Sequence, residues 1–306
     1  MESNARSMKY GPGTASQASQ WQDHVRSQLI DMLCIGDQIS GVAESSFQVE
    51  TVSSIENHGY ISKELKINAT PSRQIEVIVT VPVRWSRPSP AVVAIAGHGG
   101  DRHTCYTKDS YHKCAHVLAE QGYVTISTGI SRHDIYESGR TLMGERLWDL
   151  ICCVDFLESM EEVDNERISC IGNSLGGEMV MWLAAIDPRI SAAVSSSFLT
   201  RMDQMENNHC MCWKFPGLRD IVDFPDIYSL IAPRPLLCQN GLKEPPTQFP
   251  VDLAREAMDE IQVIYHDLNT SENLQFIAHE GGHEVHLPSL CSFLDRHLTQ
   301  VDNDCG

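Results

Sequence analysis

Gly172-Asn173-Ser174-Leu175-Gly176 sets a serine between two glycines, with an apolar run before it and an Ala/Met/Leu-rich segment after it. A serine held on a sharp strand-to-helix turn presents its Oγ outward as a nucleophile, and the glycines permit that turn because they carry no Cβ to collide with nearby backbone. The pattern alone arises by chance in about one chain in ten of this length, so its surroundings decide. Residues 167–171 read as a short buried strand and 178–185 as a helix that begins just past the serine. A hydroxyl attacks poorly until a base takes its proton, and that base needs a carboxylate to orient it. The base expected is His283, in Glu280-Gly281-Gly282-His283-Glu284 after the last predicted strand. The carboxylate expected is Glu244, three residues beyond the Gly241 that ends another strand, with Asp252 and Asp226 as alternatives.

Acyl transfer also needs donors for the developing oxyanion, and losing one costs about 10²–10³ in rate. Gly97-His98-Gly99-Gly100 follows an apolar strand, so the amide of Gly99 or Gly100 is expected to join that of Leu175, the residue after the serine. His98 is expected to orient this loop through its ring rather than to transfer a proton. His209, Cys210 and Cys212 offer metal-ligand chemistry, but structural zinc wants four ligands in recognisable pairs and no second pair sits at a matching distance. They read as packed residues of an insertion. Arg146 and Asp149, one turn apart, read as an ion pair on a helix, while Arg140 and Asp134 read as residues of a solvated loop near the pocket.

The elements that must position these groups follow an α/β pattern. Residues 1–20 are rich in Ser, Gly, Gln and Ala without periodicity and read as a flexible lead-in to a helix over 21–33. Three β-like runs over 47–83 suggest antiparallel strands at a sheet edge. Strand and helix then alternate: strands over 91–96, 123–128, 190–198, 235–239 and 274–278, helices over 110–121, 251–261 and 286–299. Such alternation predicts a mostly parallel central sheet with helices on both faces. Met143, Leu147, Leu150, Ile151, Val154 and Leu157 recur at helical spacing within 138–160, the mark of a long amphipathic helix. Residues 199–226 lack a period and read as a small insertion that could serve as a substrate lid, within one domain over 21–306.

The 306 residues are 42% hydrophobic, enough for one enzyme-sized core. A formal charge of −18 opposes phosphate backbones and anionic lipid, so neither nucleic acid nor a membrane is an expected partner. The N-terminus lacks a basic segment followed by an apolar stretch, and several of the eleven cysteines (Cys152, Cys153, Cys170 and Cys238) lie in apolar runs. Both features lead to the expectation of a cytoplasmic protein with reduced thiols. Oligomeric state is open.

The His-Gly-Gly loop, Gly172-Asn173-Ser174-Leu175-Gly176-Gly177, Ile231-Ala232-Pro233-Arg234-Pro235-Leu236-Leu237 and Gly281-Gly282-His283-Glu284 together resemble the α/β-hydrolase superfamily, in the acetyl-xylan-esterase-like and dienelactone-hydrolase-like group. The resemblance covers about 47–298 and is strengthened at 139–149 and 209–212. The order serine, acid, histidine matches that superfamily. The chain departs from the group at the acid, where an Asp closely followed by Phe-Pro is usual. Here Glu244 is one methylene longer and the Phe249-Pro250 pair lies beyond an enlarged loop. The resemblance implies a serine hydrolase cleaving a small-molecule carboxylic ester, with no cofactor or metal, and a serine where dienelactone hydrolases carry cysteine points to ordinary ester cleavage. A serine peptidase of the same fold and a non-catalytic ligand-binding protein are the alternatives.

Overall fold

The computed structural model describes residues 6–41, 48–84 and 88–299. The strands are β1 (Val49–Glu56), β2 (Tyr60–Thr70), β3 (Arg73–Pro82), β4 (Ser89–Ile95), β5 (Val124–Thr128), β6 (Val163–Asn173), β7 (Ile190–Ser196), β8 (Leu236–Gly241) and β9 (Leu274–His279). The helices are α1 (Ala15–Leu33), α2 (Gly36–Gly41), α3 (Thr104–Thr107), α4 (Cys114–Glu120), α5 (Leu142–Glu158), α6 (Leu175–Ile186), α7 (Met202–Asn208), α8 (Leu218–Ile221), α9 (Phe224–Ser229), α10 (Val251–Asp267) and α11 (Leu287–Leu298). The strands form one sheet in the order β1-β2-β3-β5-β4-β6-β7-β8-β9. The β1–β2, β2–β3 and β3–β5 pairs are antiparallel, and every pair from β5 to β9 is parallel. The expected antiparallel edge and parallel centre are both present. Phe47, where the reading starts the first strand, lies outside the described residues.

Central strands such as β4 are buried on both faces. Ala91, Val93 and Ile95 join the core under α1, α5, α6, α9 and α10, while Val92 and Ala94 join the one under α4 and α11. That two-sided burial is why these strands read as continuous apolar runs rather than alternating ones. Arg234 of the Ile231–Leu237 motif explains part of that motif: its guanidinium donates to the carbonyls of Ala184, Asp187 and Ile190, closing the end of α6 onto the start of β7.

Three elements differ from the sequence reading. The first helix begins at Ala15 rather than 21, because Thr14 and Gln17 form a capping box: Gln17 N–H donates to the Thr14 hydroxyl and Thr14 N–H to the Gln17 side chain. The residues before it are docked too. Arg6 pairs with Asp223, Asp226 and Glu260, and Trp21 Nε1 donates to the Met8 carbonyl at 3.0 Å. The flexible lead-in is therefore corrected for residues 6–20, whose polar composition hides specific partners far along the chain. The helix expected over 110–121 is reduced to α4, since His112 and Lys113 adopt positive φ and break the ladder. α5 is buried almost all round, Glu145, Arg146 and Asp149 included, rather than amphipathic. Asp149 pairs with Arg73 and Arg132 instead of Arg146, whose guanidinium reaches the Arg132 carbonyl and Cys212.

Candidate active site

Ser174, the Gly97–Gly100 loop, Glu244 and His283 follow the C-terminal ends of β6, β4, β8 and β9. All four strands run parallel in one sheet, so these groups emerge at the same edge, where open α/β sheets bind ligands. Ser174 has φ 60° and ψ −124°, a conformation a residue with a side chain adopts only under constraint. The glycines of the motif supply that constraint. A Cβ on Gly172 would stand 2.4 Å from the Gly176 carbonyl carbon, and one on Gly176 would stand 2.1 Å from the Ile95 carbonyl oxygen. The turn is clamped between its own ends and β4, with Ser174 N–H donating to the Ser196 carbonyl at 3.0 Å.

His283 Nδ1 lies 2.8 Å from Glu244 Oε1. The Glu244 side chain is fully buried, and its second oxygen has no partner among the described residues. Close packing brings these loops together, since a Cβ on Gly241 would collide with the Gly282 carbonyl oxygen at 2.2 Å. Phe249 stacks on the His283 ring at 5.6 Å between centroids. The enlarged loop after Glu244 thus returns its phenylalanine to the imidazole. The other acids lie elsewhere. Asp226 accepts the backbone N–H groups of Tyr10 and Asp223 and pairs with Arg6, while Asp252 is exposed in the first turn of α10.

The backbone amides expected to serve an oxyanion are already engaged. Gly99 N–H donates to Ser131 Oγ at 2.6 Å and Gly100 N–H to the Gly97 carbonyl at 3.0 Å, so the expectation that one of them serves an oxyanion does not fit the loop. Gly97 N–H is also taken, by the Tyr111 hydroxyl at 2.7 Å. Within 97–100 the His98 N–H alone has no acceptor among the described residues. Leu175 is the first residue of α6, so its N–H has no intrahelical acceptor.

Charge near the site is unusual. Burial raises the Glu178 carboxyl to about 8, with Arg146 acting in the opposite direction. Desolvation, Arg146 and His133 lower the His98 imidazole to about 4, which keeps it neutral. His98 and His133 stack at 5.7 Å, and their Nε2 atoms lie 3.2 Å from the sulfurs of Cys212 and Cys210 respectively. The expected packing of Cys210 and Cys212 as mere insertion residues therefore overlooks two histidines brought in from other loops, and His209 is not part of the group. Their separation in sequence leaves no local spacing by which to find them.

A doubly covered parallel sheet with a strained serine elbow at its C-terminal edge defines an α/β-hydrolase. The model of the Abhydrolase family, Abhydrolase_7, matches residues 6–266, and the chain belongs to that family. Over 262 residues it is 24% identical to the protein named "Putative hydrolase YtaP" of Bacillus subtilis (strain 168), covering 77% of this chain and 86% of that one. Among solved structures, a glucuronoyl esterase from Solibacter usitatus superposes with a TM-score of 0.72 at 14% identity, covering 95% of this chain and 98% of the other. An acetyl xylan esterase from Paenibacillus sp. R4 gives a TM-score of 0.64 at 16% identity, with the same coverage of 95% and 98%. At such identities the structural matches establish the fold. Among the described residues no helix is long and apolar enough to cross a membrane.

Proposed function

We propose that this chain is a serine hydrolase of carboxylic esters, with Ser174 as nucleophile, His283 as general base and acid, and Glu244 as the orienting carboxylate. The observation that carries this reading is the contact in which Glu244 grips His283 Nδ1, at the same sheet edge as the strained Ser174 elbow. An ionised carboxylate only accepts, so the contact holds the imidazole proton on Nδ1 and leaves Nε2 bare to take the serine proton. Ser174 Oγ then adds to the ester carbonyl, and Leu175 N–H with His98 N–H receives the oxyanion. The Nε2 proton passes to the departing alcohol, and water activated by the same nitrogen frees the acid. Membership of the Abhydrolase family supports this reading, as do structural neighbours that are themselves named esterases.

Turnover of p-nitrophenyl acetate and labelling by a fluorophosphonate probe test it. Ser174→Ala is expected to lose the label and to lower kcat/KM by about 10³–10⁶. Native protein that neither turns over acetyl, butyryl and longer esters nor labels at Ser174 overturns the reading, and release of amino acids from peptides in place of ester cleavage redirects it to a peptidase.

A further inference from the structure

We propose that His98, His133, Cys210 and Cys212 form a tetrahedral binding site for a structural zinc ion that ties the His98 loop to the segment over the sheet edge. Their donor atoms all lie within 4.8 Å of one another. Tetrahedral zinc with Zn–N near 2.0 Å and Zn–S near 2.3 Å sets ligand atoms about 3.3–3.8 Å apart. The two cross-pairs, His98 Nε2 to Cys212 Sγ and His133 Nε2 to Cys210 Sγ, are both at 3.2 Å, so small outward adjustments admit the ion. Two imidazoles and two thiols are the donor set that borderline-soft zinc prefers, and four protein ligands leave no open position, which marks a structural rather than a catalytic ion.

The surroundings suit the charge balance. Zinc displaces one proton from each cysteine, and the two resulting thiolates neutralise its two positive charges. Arg146 places Nη1 3.3 Å from Cys212 Sγ, and its own position is fixed by a bond from Nη2 to the Arg132 carbonyl. The ligands come from three separate segments: the loop after β4, the loop after β5, and the segment between α7 and α8. The ion would join all three at one point, and Cys210, His133 and His98 stand at the surface, within reach of an incoming ion. His98 is also the residue of the 97–100 loop whose N–H has no acceptor among the described residues, so the ion would fix that donor through its own side chain. This last consequence rests on the esterase reading; the site itself does not.

The experiment therefore reads metal rather than turnover. The full chain, purified under reductant and stripped with a chelator, is titrated with Co²⁺ and then with Zn²⁺ as competitor. Expected are one Co²⁺ per chain, thiolate-to-cobalt charge-transfer bands, tetrahedral d–d bands, and their loss on adding zinc. Cys210→Ser abolishes the two-thiolate spectrum. His133→Gln, at a surface position that folding tolerates, weakens binding at least about 100-fold, more than loss of an outer partner costs. Cys291→Ser, remote from the cluster, binds as the native chain does. Absence of these bands in folded, reduced protein, or an unchanged spectrum in both Cys210→Ser and His133→Gln, overturns the proposal.

Discussion

Glu244 and Asp226 are both buried acids, and only one of them touches an imidazole. Glu244→Gln keeps the shape of the contact but lets His283 adopt the wrong tautomer, so kcat is expected to fall about 10²–10⁴ with KM little changed. Asp226→Asn is expected to leave kcat intact, and a steady-state comparison of the two variants settles which acid serves the base. Glu178 makes a separate prediction about pH. Its carboxyl has an ordinary value of 4.5 and is raised to about 8 in the folded protein, so between these values the native state holds a proton that the unfolded state has lost. Stability therefore falls as pH rises from about 4.5 to 8, and the loss is complete above 8. Thermal melts of Glu178→Gln should match the native protein near pH 5 and exceed it near pH 8. Of these residues, Ser174 and His283 are legible in the sequence because each sits in a short local motif, whereas Glu244 stands beside Asp252 and Asp226 as alternatives until its contact with His283 singles it out. Which amide of the 97–100 loop stays without an acceptor among the described residues is not legible, because Ser131, a residue from another loop, takes the Gly99 N–H.

The serine turn works as an element only because three pieces of backbone touch without side chains between them. Gly176→Ala places a methyl group against the Ile95 carbonyl of β4, and separating that strand from the elbow is expected to cost about 3 kcal/mol or more, read as a fall in the urea midpoint. Strands β4, β5, β7, β8 and the second half of β6 are recoverable from apolar runs bounded by turn residues, since burial on both faces leaves a plain signal, whereas β9 is a half-buried edge strand. α5 misleads for a related reason. Its Glu145 and Asp149 look like a solvent face, yet they are met inside by Arg132 and Arg73, and sequence periodicity cannot tell water from a buried guanidinium. The segment from 199 to 226 is irregular in sequence and short-helical in structure, with Trp213 buried against Phe224 at 5.4 Å. Its Gln204 donates to the carbonyls of Pro246 and Gln248, joining it to the loop that carries Glu244.

Across the whole molecule the largest correction lies at the start of the chain. Composition hides the docking of residues 6–20 because their partners lie more than two hundred positions away, as Arg6 and Asp226 do. Arg6→Ala strands Asp226 in a site that already holds its carboxyl up at about 6, and removing one partner of such a buried pair is expected to cost about 3–5 kcal/mol. Equilibrium unfolding in urea measures that loss, while a kcat close to the native value would show that the arm supports the fold and not the chemistry. The same contact also acts in time. Arg6 and its partner Glu260 are 254 residues apart, so a ribosome adding 5–20 residues per second delivers the partner about 13–50 s after the arginine. Throughout that interval α1 can meet the start of α5, where Thr141 bonds the Leu33 carbonyl, and α6, but it has no α10 to complete its packing. The packing of α1 is complete only once α10 has emerged.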